Sequence, residues 1–145
     1  MKSMLVTLTL MFAAAAAGQE IEVINPEGMT KSPNYSHLVR FGDLLFIAGQ
    51  VATDGDGNIV GEGDMAAQFR QVLENLKTVL ASVDANLSNV VKITIYTVDI
   101  EALRAVVAIR SEYFGDHAPA STLVQIERLA RPEFLLEIEA TAVKQ

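Results

Sequence analysis

The sequence predicts an α+β fold, a mixed five- or six-stranded sheet with two helices on one face. Three observations predict it. Two segments repeat apolar residues at three- and four-residue steps, the helical period. Several shorter segments alternate or are rich in Val, Ile and Thr, as strands are. Their order is strands, helix, strand, helix, strands, and 145 residues without repeats or linkers make one domain.

The elements follow in chain order. Ile21–Ile24 is a short strand, ended by Asn25-Pro26-Glu27-Gly28, and Ser32-Pro33-Asn34 continues an irregular stretch. Leu38–Phe41 and Leu44–Val51, joined by Gly42-Asp43, read as a hairpin. The cluster Asp54-Gly55-Asp56-Gly57-Asn58 is a turn. A calcium loop starting there needs a Glu at its twelfth position, where Met65 stands. Met65, Phe69, Val72, Leu73, Leu76, Val79, Leu80 and Val83 form one helical stripe, with Asp64 as N-cap. Val90–Val98 is a strand. A second helix runs from about Glu101 to Phe114, capped by Asp99 and ended by Gly115. Thr122–Leu129 and Phe134–Val143 are the last strands. In the latter, Leu136, Ile138, Ala140 and Ala142 share one face, and Glu137, Glu139 and Thr141 the other.

Composition removes several kinds of chemistry. Without cysteine there is no disulfide, thiolate nucleophile or cysteine–metal site. His37 and His117 have no metal-ligand spacing and read as loop residues. A formal charge of −7 argues against a nucleic-acid partner, which calls for a cationic face. Residues 1–18, MKSMLVTLTLMFAAAAAG, begin with one cation, Lys2, continue as an apolar run and end in small residues. That is the pattern of a secretory signal peptide. The run Met4–Ala17 is shorter than the ~20 residues that span a bilayer as a helix. The expectation is therefore cleavage, a single domain over residues 19–145, export to the periplasm or medium, and no membrane attachment afterwards.

The sheet also predicts association. Two helices cover one face, yet Leu44–Val51 is apolar on both: Leu44, Phe46 and Ala48 on one side, Leu45, Ile47 and Val51 on the other. A broad apolar face without a helix of its own needs a partner. Self-association is favoured, and folding of the 25–37 loop over that face is the alternative.

The run Tyr35 … Phe46-Ile47-Ala48-Gly49-Gln50-Val51, then Asp64-Met65-Ala66-Ala67-Gln68 … Leu73-Glu74-Asn75-Leu76, resembles the RidA family, also called YjgF. Val90-Val91-Lys92-Ile93-Thr94-Ile95-Tyr96, Pro119-Ala120 and Leu136-Glu137-Ile138-Glu139-Ala140 fit the same pattern, so the resemblance runs from about Asn25 to Lys144. It implies a chorismate-mutase-like fold, three subunits packing their sheets into a central barrel, and hydrolysis of imines or enamines such as 2-aminoacrylate without metal or organic cofactor. It also implies a pocket between subunits. There a strand Glu helps orient water, a Tyr and a Ser line the walls, and an Arg after Pro-Ala forks onto the substrate carboxylate.

Carried over by residue, the resemblance assigns Glu137 as the catalytic carboxylate and Tyr35, Ala48, Gly49 and Ser121 as substrate-binding positions. Ala48 stands in place of the Ser and Ser121 in place of the Arg. A neutral hydroxyl replaces a five-donor cation. The loss of a charge-assisted bond, about 1.5–3 kcal/mol, weakens binding of 2-imino acids tenfold or more. Arg128 and Arg131 are the nearby cations; regular strand parity would turn Arg128 away from the Ser121 side. Without the resemblance, Glu137 and Glu139 read as ordinary strand charges, Tyr35 as packing beside Pro33, and Ser121 lacks a His–Asp relay. Two functions remain: an exported deaminase of altered range, and a non-catalytic trimer binding small molecules or proteins in the same pocket.

Overall fold

The computed structural model describes residues 20–144. The expected signal peptide lies outside the described residues. Six strands, β1 (Ile21–Ile24), β2 (Leu38–Phe41), β3 (Leu44–Gln50), β4 (Val90–Thr97), β5 (Ala120–Gln125) and β6 (Leu136–Val143), form one sheet in the order β1-β2-β3-β6-β4-β5. Only β4 and β5 are parallel; the other neighbours are antiparallel. Gly42, at φ 60°, supplies the positive φ that the two-residue β2–β3 turn requires.

Helix α1 (Met65–Ala81) starts where Asp64 accepts the Ala67 N–H. Its stripe of Phe69, Val72, Leu73, Leu76, Val79 and Leu80 is buried against Leu45, Ile93 and Ile138 of the sheet. Each such side chain contributes about 1.5–3 kcal/mol relative to exposure. The Asp54–Asn58 cluster is a turn, with the Asp54 carboxylate accepting the N–H groups of Asp56 and Asn58.

The expected second helix is two. Asp99 caps α2 (Ile100–Ala105), and α3 (Ala108–Phe114) follows. Between them the N–H groups of Val106, Val107, Ile109 and Arg110 bond three residues back. That tighter winding at two β-branched residues shifts the helical phase. Val107 is turned out, 55% exposed, and Ile109 is buried in its stead.

Strand ends follow their partners. β5 stops at Gln125, short of the expected Leu129, because β4 offers no register partner beyond Thr97. β6 begins at Leu136 because the Leu135 N–H is taken by the Gln68 side chain and its carbonyl by the Val98 N–H.

The helices lie on one face. On the other, Phe41, Leu44 and Phe46 are 40%, 40% and 47% exposed, and Ile21, Val23 and Val124 are exposed too. The 25–37 loop does not bury them. It is held elsewhere: the Asn25 side chain accepts the His37 N–H, and His37 Nε2 meets the Thr30 carbonyl at 2.8 Å.

Candidate functional site

The site begins as a fault in the sheet. β3 and β6 pair regularly from Leu44 to Ile47 and then shift register before Gln50. A bulge of this kind redirects side chains. Here it brings Gly49 against Glu137, so closely that a Cβ on Gly49 would collide with the Glu137 carboxylate. Glycine is needed for close approach. The bulge is held by the buried Gln50, whose amide donates to the Ala48 carbonyl at 2.9 Å.

Around the bulge lies a cleft of about 380 Å3. Tyr35 and Thr30 reach it from the loop before β2, Ala48, Gly49 and Val51 from the end of β3, Thr53 and Gly57 from the following turn. The far wall is Ala130, Arg131 and Phe134, from the β5–β6 connection, and Glu137. Tyr35 is half exposed, with its ring edge-on to His37 at 5.8 Å.

Three amides on α1 fix these walls. Gln68 is fully buried; its NH2 donates to the Glu133 carbonyl at 2.7 Å and its oxygen accepts the Leu135 N–H at 2.9 Å. Asn75 donates to the Val51 and Thr53 carbonyls, both at 2.9 Å, and Gln71 donates to Asn75 and Thr53. Sequence reasoning did not assign these roles. The available signal was uncharged amides at helical spacing beside the apolar stripe.

Among the cleft-lining side chains, Glu137 is the one carboxylate and Arg131 the one cation. Burial pushes the Glu137 carboxyl above the ordinary glutamate value, and the charge of Glu139, two residues along the same face, adds to the effect. Glu139 accepts a long bond from the Tyr96 hydroxyl, 3.4 Å, outside the cleft. Arg131 pairs with Glu133 at 3.5 Å, and its guanidinium carbon lies 5.5 Å from the centre of the Phe134 ring.

Of the expected site residues, Tyr35, Ala48, Gly49 and Glu137 are brought together. Ser121 is not among them within one protomer. It registers with Ile93 and so faces the helical side of the sheet, where its hydroxyl accepts from Arg110 Nη1 at 3.1 Å. Arg110 in turn lies over Phe114. Arg131 belongs to the cleft and Arg128 is not part of its lining. His117 sits apart, Nε2 at 2.7 Å from the Val90 carbonyl. Among the described residues no three His, Asp or Glu side chains are grouped as a metal site requires.

Comparison with known proteins covers most of the chain. A profile of the family described as Endoribonuclease L-PSP matches residues 29–144. A RutC family protein of Pyrococcus horikoshii is 38% identical over 125 residues, 86% of this chain and 98% of that protein. The 3-aminoacrylate deaminase RutC of Acinetobacter baylyi is 32% identical over 123 residues, 83% of this chain and 96% of that protein. A solved structure of a Rid-family protein of unknown function from Yersinia pestis matches with a TM-score of 0.80 at 30% identity, covering 86% of this chain and 99% of its own.

Proposed function

The chain belongs to the L-PSP family, that of the RutC and Rid proteins, and on that premise we propose that it is an imine or enamine deaminase. The observation that supports this reading is the half-buried Glu137 carboxylate, seated on Gly49 in a cleft that also holds Tyr35 and one cation. The reaction asks little of a protein beyond positioning. Water adds to the imine carbon while Glu137 accepts its proton. The proton passes to the nitrogen, and the carbinolamine collapses to a carbonyl compound and ammonia. Burial of Glu137 keeps its basicity nearer the operating pH, which favours such transfer.

The protein acts, in this reading, as an exported homotrimer. The signal-like residues 1–18 motivate export, and N-terminal sequencing of the protein from expressing cells tests it. The exposed apolar face formed by Phe41, Leu44, Phe46 and Val124 motivates assembly. Light scattering should give three times the chain mass; a monomer at micromolar concentration would end that part of the reading. Ser121 makes the substrate range differ from that of relatives with Arg at this position, with weak activity on 2-aminoacrylate. Deaminase assays on imines derived from several amino acids test the activity itself.

A non-catalytic trimer that binds small molecules or proteins is the second reading. The observation in its favour is the pair Ala48 and Ser121, which removes one hydroxyl and one charge from the family pattern. Ligand binding without turnover of any imine would select it.

A further inference from the structure

We propose that Arg131, on the connection between β5 and β6, is the residue that binds the substrate's carboxylate in this chain. The proposal rests on the deaminase reading for the word substrate, and on the cleft itself for the rest. An imine or enamine of an amino acid has two unlike ends, an anionic carboxylate and a basic nitrogen. The cleft lining carries two unlike charges as well. Glu137 is its carboxylate and Arg131 its cation, and Arg131 pairs with Glu133 rather than with Glu137. The same lining includes Ala48, Val51 and Phe134, apolar surface suited to the uncharged part of such a molecule.

The guanidinium is both placed and available. Its backbone belongs to a turn closed by the Phe134 N–H on the Arg131 carbonyl, 3.2 Å, and the turn is locked to α1 through Gln68. The planar group lies against Phe134, itself buried. Its ionic partner, Glu133, stands at 3.5 Å, and the side chain is 49% exposed, so several of its five N–H donors face solvent. Two of them match a carboxylate's two oxygens. Arg128, the other nearby cation, is not part of the cleft lining, and Arg110 is committed to Ser121 and Phe114 on the helical side of the sheet. Ser thus stands at position 121, where the family pattern has a cation, while Arg131 lines the cleft from a neighbouring loop.

Glu133 makes the proposal sharper, because it competes with any ligand carboxylate for Arg131. Its side-chain charge can be removed without touching its backbone carbonyl, the group that Gln68 holds.

The test is equilibrium binding of pyruvate, a stable 2-oxo acid, and of its uncharged amide, by NMR titration, with turnover measured alongside. Arg131→Gln should raise the Kd for pyruvate at least tenfold and leave that for pyruvamide within twofold. Arg131→Lys should fall between, keeping the charge without the fork. Glu133→Gln should tighten pyruvate binding severalfold, a gain that a purely structural role for this loop would not produce. Arg131-dependent pyruvate binding without turnover of any imine would remove the deaminase reading and uphold the carboxylate site. Pyruvate binding that is absent in the unmodified chain, unchanged in Arg131→Gln, or lost instead in Arg110→Gln would overturn the proposal.

Discussion

The β3–β6 bulge and the β5 edge are the two regions to which the family pattern assigns site residues, and they are built differently. At the bulge, geometry is locked from several sides: Gly49 makes room for Glu137, Gln50 holds the irregular backbone, and Gln68, Gln71 and Asn75 tie both flanking loops to α1. At the β5 edge every residue is exposed, the strand has a single neighbour, and the Ser121 hydroxyl serves Arg110. The Glu137 end of the cleft is over-determined and tolerates little change. The β5 edge, to which the family pattern assigns carboxylate binding, is a surface strand, where an Arg can be replaced by Ser at little packing cost.

If that contrast holds, the largest effects belong to the bulge. Glu137→Gln should lower kcat about 10²–10⁴-fold on any imine the protein accepts, the usual size of a lost acid–base group. KM should change little, since the amide fills the same space. Gly49→Ala should lose activity on a similar scale, because the new methyl displaces the carboxylate. Steady-state kinetics read both, and a Glu137→Gln enzyme of full kcat would remove the bulge from the chemistry.

Next in size is the scaffold beneath it. Gln68→Leu deprives the partly buried Glu133 carbonyl and Leu135 N–H of their partners. At about 1–3 kcal/mol for each of the two unsatisfied groups, a loss of about 2–6 kcal/mol is expected in denaturant unfolding. No comparable loss should follow from Ser121→Ala at the β5 edge, where water replaces the bond to Arg110. Equal losses at both positions would cancel the contrast.

What could be read from the sequence divides along the same line. The α1 stripe, the Asp64 and Asp99 caps and the Gly42-Asp43 hairpin are local: periodicity and capping chemistry specify them without a partner. The apolar surplus of β3 likewise foretold an open face. The break between α2 and α3 was not legible, because Val106 and Val107 are apolar residues compatible with a continuous stripe. Nor were the ends of β5 and β6, which depend on where β4 stops and on a side chain of α1 sixty-seven residues away. Tyr35, Ala48, Gly49 and Glu137 could be placed from motif order alone. Arg131 could be named only as a nearby cation, since its entry into the cleft depends on a turn that strand parity does not describe.

A smaller effect sharpens the comparison from the other side. Ser121→Arg should lower KM for 2-aminoacrylate by up to about tenfold with kcat nearly constant, because a carboxylate is held in ground and transition states alike. Arg110, which now bonds Ser121, will oppose the new charge and trim the gain. Ser121 and the Glu137 cleft are separate within one protomer, so any gain also requires the β5 edge of one copy to reach the cleft of another. An unchanged KM would mean that the edge and the bulge do not meet in the assembly.

The smallest effect is on stability, and its sign follows from Glu137. Folding raises this carboxyl above the ordinary value of 4.5, through burial first and the Glu139 charge second. Well below 4.5 the group is neutral in both folded and unfolded chains and imposes no penalty. As pH rises past 4.5 the unfolded chain releases its proton first, so stability falls until the folded carboxyl has ionised as well. Glu137→Gln removes that penalty. Its Tm should match that of the unmodified protein near pH 3 and exceed it near pH 7, the reverse of its effect on turnover. Glu139→Gln should give a weaker version of the same rise, since it relieves only the secondary cause. A Glu137→Gln protein that loses stability at pH 7 would mean that the ionised carboxylate is held by favourable contacts, and the bulge would then be a structural ion site instead of a strained catalytic one.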